Sequence, residues 1–83
     1  IPGELWIQFQ DLESYQMNEK KLLSMLAPWD GKDTVVVYLS NTRQYQKLPP
    51  SRSVGICPQL IDQLDQVFGK ENIKTLKKIK EKL

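Results

Sequence analysis

Apolar positions recur every second residue from Glu4 to Phe9, with Leu5, Ile7 and Phe9 on one side and Glu4, Trp6 and Gln8 on the other. Period two with aromatic and β-branched members predicts a strand. Trp6 makes the second side partly apolar, so that side is expected to be covered by something. From Asp11 to Leu26 the pattern changes: Tyr15, Leu22, Leu23 and Leu26 share one face of a helix. Asp11 or Ser14 can cap its start by accepting from unpaired first-turn amides. Pro28 ends it, because proline disfavours helical geometry in the residue before it, and Asp30-Gly31 supplies turn chemistry. Thr34 to Leu39 is almost continuously apolar, the pattern of a strand buried on both faces. A polar turn, Ser40-Asn41-Thr42, leads into the alternating and more polar Arg43 to Leu48, so the two runs predict an antiparallel hairpin with its second strand near an edge. Pro49-Pro50 stops it, and Ser53 to Ile56 adds a short extended piece. Pro58 to Phe68 carries an unbroken helical stripe of Leu60, Ile61, Leu64, Val67 and Phe68. Proline suits the first helical position and Gly69 the closing one. Asn72 to Leu76 reads as a last strand. Beyond it, Leu76, Ile79 and Leu83 keep a helical spacing, but so short a helix is marginal in water by itself.

The expected order is strand, helix, strand, strand, helix, strand. A strand–helix–strand start requires a parallel, right-handed crossover; the hairpin then reverses direction and the second helix crosses back. The fold class that follows is α/β, a small mixed sheet with two helices packed on it, resembling an incomplete Rossmann arrangement. Residues 1–3 read as a linker start, 4–76 as one domain, and 77–83 as a lysine-rich end.

Composition narrows the chemistry. The 83 residues contain no histidine and one cysteine, Cys57. The commonest general base and metal ligand is therefore missing, and neither an internal disulfide nor a cysteine zinc cage can form. A lone cysteine fits a reducing compartment. No apolar run approaches the ~18 residues that cross a bilayer, and Ile1-Pro2-Gly3-Glu4 lacks the basic start and apolar stretch of a signal peptide. An opening without Met reads as a piece of something longer. Cytoplasmic location is the expectation. The net charge of +2 hides an asymmetry: residues 1–69 hold six basic and eight acidic groups, whereas 70–83 hold six lysines against Glu71 and Glu81.

Apparent catalytic motifs dissolve. The Gly-Lys steps at Gly31 and Gly69 lack the earlier glycine of a phosphate-cradling loop, those positions being Leu26 and Leu64, and neither is followed by Ser or Thr. Asp62 and Asp65 form a solvated helix face. Asp30 and Asp33 flank a glycine turn without the other oxygen ligands of a calcium loop, and turn chemistry accounts for both. Cys57, beside a helix start, has no histidine to act as its base, and Ser24, Ser40, Ser51 and Ser53 share that lack. No catalytic, cofactor-binding or metal-binding residue is assigned, and no small-molecule substrate or membrane is expected.

Two signals point to binding. Arg43, Tyr45, Lys47 and Arg52, together with Lys74, Lys77, Lys78 and Lys80, can track a phosphate backbone and stack a base. The competing reading is a solvated charged face, and the low net charge weighs toward it. Trp6 and Trp29 are candidate protein-docking residues, since tryptophan is enriched at interface hot spots; in a thin core each can equally fill volume.

The order of several segments resembles a known family. Gly3-Glu4-Leu5-Trp6-Ile7-Gln8-Phe9, the helix end Leu22-Leu23-Ser24-Met25-Leu26 and the run from Gly31-Lys32-Asp33 through Val35-Val36-Val37-Tyr38-Leu39 resemble the C-terminal segment of bacterial DNA polymerase III alpha subunits, in versions from Gram-positive, clostridia-like bacteria. So do Leu48-Pro49-Pro50, Leu60-Ile61-Asp62-Gln63-Leu64 and Phe68-Gly69-Lys70-Glu71-Asn72-Ile73. The resemblance implies a parent DNA-directed DNA polymerase whose metal-binding aspartates lie elsewhere; no position here matches them, so this fragment is not expected to be an enzyme. It implies a compact, non-catalytic domain that docks a replisome protein, the clamp-loader tau-type subunit. The alternatives are an accessory single-stranded DNA-binding domain and a structural cap without its own partner.

Overall fold

A computed structural model describes residues 3–76. They form β1 (Glu4–Phe9), α1 (Leu12–Leu26), β2 (Asp30–Leu39), β3 (Gln44–Lys47), α2 (Pro58–Phe68) and β4 (Ile73–Leu76), with short 3₁₀ turns at Ala27–Trp29, Pro50–Arg52 and Lys70–Asn72. The lysine-rich end expected at 77–83 lies outside the described residues. The strands make one mixed sheet in the order β3-β2-β1-β4. β1 runs parallel to β2, as the crossover through α1 requires, and antiparallel to β4; β2 and β3 are the antiparallel hairpin. This is the small mixed α/β domain that the hydrophobic pattern predicts.

Register decides which side is buried. Leu5, Ile7 and Phe9 lie beside Val35, Val37 and Leu39, and Ile73 of β4 sits opposite Ile7. Leu22 and Leu26 of α1 and Leu60 and Leu64 of α2 pack onto this side, together with Val54 from the extended stretch before α2. Phe9 meets Tyr15 of α1 and Phe68 of α2 edge-on, with ring centroids 5.4 and 5.6 Å apart. Both helices thus cover the same face, whereas a doubly wound sheet carries helices on both. Val67, expected in the α2 stripe, is exposed: the stripe is wider than the strip of sheet that α2 covers.

The caps follow local chemistry. Of the two candidates at the start of α1, Asp11 is the cap: its carboxylate accepts from the Ser14 amide at 2.8 Å. Pro58 occupies the first turn of α2, and Gly69 closes that helix at φ 94° while its amide donates to the Asp65 carbonyl. That positive φ is where glycine has no steric penalty.

Three expectations need correction. Asp30-Gly31 is not a turn but the start of β2, and the change of direction falls to the 3₁₀ turn Ala27–Trp29. The reason is a backbone crossing. Val54 forms isolated bridges to Asp30 and Asp33, and the Gly55 amide donates to the Trp29 carbonyl at 2.6 Å. A Cβ on Gly31 would lie 2.4 Å from the Gly55 nitrogen, so only glycine admits the second chain. Asp33 is likewise no turn residue. Its two carboxylate oxygens accept from the Gly3 amide at 2.8 Å and the Ile56 amide at 3.0 Å, tying three separate segments together. Gly3, read as linker, is buried and also bonded through its carbonyl to the Thr34 amide; it belongs to the domain.

Gly31→Ala is expected to destabilise the chain by about 1–3 kcal/mol through overpacking, read as a lowered denaturant midpoint. Asp33→Ala is expected to cost about 1–3 kcal/mol by leaving the amides of buried Gly3 and half-buried Ile56 without acceptors. An Asp33→Ala midpoint equal to that of the parent chain contradicts the assigned tie.

Candidate functional site

Because α1 and α2 lie on one side, the other side of the sheet carries no helix of the described residues. Alternation brings Glu4, Trp6 and Gln8 of β1, Thr34, Val36 and Tyr38 of β2, Tyr45 and Lys47 of β3, and Lys74 and Leu76 of β4 to it. The register arranges them in cross-strand rows. One row reads Lys74, Trp6, Val36, Lys47, and in the next Gln8, Tyr38 and Tyr45 stand side by side.

Val36 is fully buried although it faces away from both helices. Its cover comes from the neighbouring side chains. The Trp6 ring lies 5.2 Å from Tyr45 and 6.2 Å from Tyr38, tilted about 47° and 46°. The Trp6 indole Nε1 donates to the Glu4 carboxylate at 2.9 Å, and Lys47 Nζ approaches the other Glu4 oxygen at 3.9 Å. Each aromatic pair contributes about 0.5–1.5 kcal/mol beyond area burial; the partly exposed ion pair adds at most about 1 kcal/mol. Trp6 is thereby held in a fixed orientation. Tyr45 keeps 59% of its surface exposed. Beside this cluster, Trp6, Gln8, Tyr38, Glu71, Asn72 and Lys74 line a recess of about 280 Å³.

A second surface adjoins the first at the β3 edge. All four β3 residues are exposed, and among the described residues β3 pairs only with β2. The Leu48 amide donates to the Val35 carbonyl at 2.8 Å. Antiparallel alternation from that bond turns the amide and carbonyl groups of Gln46 and Gln44 inward and those of Tyr45 and Lys47 outward. On the helix side of this free edge lies a groove of about 370 Å³, with Leu12 and Tyr15 of α1 on one wall and Leu39, Leu48 and Pro49 on the other. Leu12 is half exposed there. The Tyr15 hydroxyl donates to Glu19 at 3.2 Å. Burial first, and then the charge of Glu19 and this hydrogen bond, hold the Tyr15 hydroxyl above its ordinary value of 10.0.

The sequence-based candidates are regrouped. Trp6, Tyr45, Lys47 and Lys74 come together on the helix-free face, so a residue read as protein-docking joins three read as nucleic-acid contacts. Arg43 occupies the hairpin turn just before β3, at φ 56°. Arg52 stands apart, in the 3₁₀ turn beside a small recess with Leu23 and Leu26 of α1. Trp29 is separated from Trp6: it is half-buried and packs against the helix-side core. Lys77, Lys78 and Lys80 lie outside the described residues. Tyr38 and the groove residues Leu12, Tyr15, Leu39, Leu48 and Pro49 are not singled out by sequence reasoning. Alternation within Thr34 to Leu39 does put Tyr38 on the Val36 side, but only strand pairing brings it to Trp6.

Chemically the arrangement can stack, bury apolar groups and pair phosphate or carboxylate charges. Among the described residues no group of three or more His, Cys, Asp or Glu side chains could hold a metal ion. Cys57 is half-buried at the start of α2. No helix of the described residues is long and apolar enough to cross a membrane. Comparison with protein-family models, curated proteins and solved structures gives no match.

Tyr15 gives a pH prediction. A group whose folded pKa is raised contributes stability that is complete below its unfolded pKa and is lost as pH rises through the folded one. The stability advantage of the parent chain over Tyr15→Phe is therefore expected to be constant up to about pH 10 and to shrink above it. Denaturant unfolding from pH 8 to 11 measures this, and an advantage that grows with pH contradicts the placement of Tyr15 beside Glu19.

Proposed function

We propose that this chain is a non-catalytic docking domain of the DNA-replication machinery, of the kind that ends bacterial DNA polymerase III alpha subunits. In this reading it holds a clamp-loader tau-type protein through the β3 edge. The parent polymerase role is supported by the resemblance of the ordered segments from Gly3 to Ile73, and it implies a cytoplasmic setting.

The observation that carries the docking role is a free edge strand beside an apolar groove. Outward-facing amides and carbonyls at Tyr45 and Lys47 can pair with an extended segment of the partner, which supplies main-chain affinity. Every second side chain of that segment then falls toward Leu12, Leu39, Leu48 and Pro49, which supplies selectivity for apolar residues at alternate positions. Such recognition needs no acid, base or metal, in keeping with a histidine-free chain.

Titrating the isotope-labelled chain with clamp-loader tau subunit is expected to shift the amides of residues 44–48 and of Leu12 and Tyr15. Leu12→Lys, at a position outside the core, is expected to weaken binding about tenfold, or ~1.4 kcal/mol, with little change in thermal midpoint. If saturating tau leaves those amides where they were, the reading fails.

A further inference from the structure

We propose that the helix-free sheet face is a binding site for single-stranded nucleic acid, in which bases stack on Tyr45 and Trp6 and the ammonium groups of Lys47 and Lys74 take the flanking phosphates. The site lies on the opposite face of the sheet from the apolar wall of the groove between α1 and β3, shares Tyr45 and strand β3 with that groove, and stands whether or not the groove docks a protein.

Three observations carry it. First, Trp6, Tyr38 and Tyr45 form one aromatic cluster on a four-stranded face that no helix of the described residues covers, with Tyr45 largely exposed and touching Trp6 at 5.2 Å. Flat rings pre-set by neighbours are sequence-tolerant stacking platforms, because every base has a π-face. RNA-recognition sheets use the same surface chemistry, aromatics on the open side of four strands stacking two or three bases, although the strand order here differs.

Second, charge is placed to complement a phosphate chain. Lys74 and Lys47 stand at opposite ends of the row that contains Trp6, three strand spacings apart, or about 14 Å at ~4.8 Å each. A strand crossing the sheet along this row meets a cation on either side of the ring. Two carboxylates bear on this face: Glu4 already accepts from Trp6 Nε1 and faces Lys47, and Glu71 lines the recess together with Lys74. The carboxylates of Glu13, Glu19, Asp62 and Asp65 belong to α1 and α2, on the other side of the sheet.

Third, beside Trp6 and Tyr38 the recess of about 280 Å³ is rimmed by Gln8, Asn72, Lys74 and the Glu71 carboxylate. Their amide and ammonium groups can hydrogen-bond the edge of an unpaired base. A duplex hides both the edge and the face that this surface would use, so the site selects single strands.

The test is fluorescence anisotropy of a labelled fifteen-residue oligothymidylate with the full chain at low salt, repeated over a salt series. Binding is expected, with a log–log salt slope that Lys47→Gln and Lys74→Gln each reduce by about 0.7, the value for one single-strand phosphate contact. Tyr45→Ala is expected to weaken binding about tenfold with an unchanged slope, in the range of one lost base–aromatic stack; Tyr45 lies outside the helix-side core, and the thermal midpoint of the variant checks that uncovering Val36 leaves the sheet folded. Leu12→Lys is expected to bind the oligonucleotide normally, which separates this site from the groove. No binding at low salt overturns the proposal. So does equal competition by duplex DNA, or binding that survives Tyr45→Ala and Lys74→Gln but vanishes when Lys77, Lys78, Lys80 and Lys82 are neutralised. Self-association that is lost in Tyr45→Ala, without oligonucleotide binding, assigns the face to a second copy of the chain and overturns it as well.

Discussion

Parallel pairing of β1 with β2 sets Leu5 against Val35, Ile7 against Val37 and Phe9 against Leu39, and everything else in the domain is arranged around that double row. A one-residue slip would send the whole set to the opposite face. The crossover through α1 lays Leu22 and Leu26 on the row, and α2 adds Leu60 and Leu64 from the same side. A chain of this size has a thin core, since small domains bury only about 60% of their unfolded surface. Both helices of the described residues lie on one face, and on the other the side chains of the strands shield the sheet.

That constraint explains the helix-free face. Val36 belongs to a strand whose every position is apolar from Val35 to Val37, and its side chain points away from the main core. It is nonetheless fully buried. Among the described residues, the register places Trp6 and Lys47 directly beside it and Tyr38 and Tyr45 in the next row. Aromatic rings and long lysine stems suit this task because they shield apolar surface while leaving a polar or charged tip in water. The Glu4 carboxylate fixes the arrangement by accepting from Trp6 and facing Lys47.

Much of the fold is legible in the sequence because the decisive signals are local. The period-two run of β1, the stripe of α2 between Pro58 and Gly69, and the near-continuous apolar run of β2 each name their element without help from the rest. Helix α1 is plainer at its ends than in its middle, with Asp11 and Pro28 marking it more firmly than its sparse apolar positions. What local reading misses is set by chain crossings. Gly31 looks like a turn glycine, yet it serves a close approach of residues 54 and 55 that lie more than twenty positions away. Asp33 looks like part of the same turn, yet its partners are Gly3 and Ile56. The candidate site fails to assemble for the same reason: Trp6, Tyr38, Tyr45 and Lys74 lie on four different strands, and only the order β3-β2-β1-β4 makes them neighbours.

The two surfaces proposed to bind draw on one strand in different ways, and this keeps them compatible. β3 offers its backbone sideways, through the outward amides of Tyr45 and Lys47, and offers the side chains of those same residues upward, onto the helix-free face. Gln44 and Gln46 point to the opposite face, toward the groove. An extended segment added at the edge would therefore widen the sheet by one strand, about 4.8 Å, and bring its own alternate side chains level with Tyr45 without removing the tyrosine. A partner seated on that edge would extend the aromatic platform rather than occlude it. The short, polar β3 is also what an unprotected edge requires: its glutamines and lysine give little apolar surface to another sheet, so pairing there depends on a segment that also fills the groove beneath. Selectivity at the edge and access to the face thus come from the same four residues, because a strand presents its backbone and its side chains at right angles.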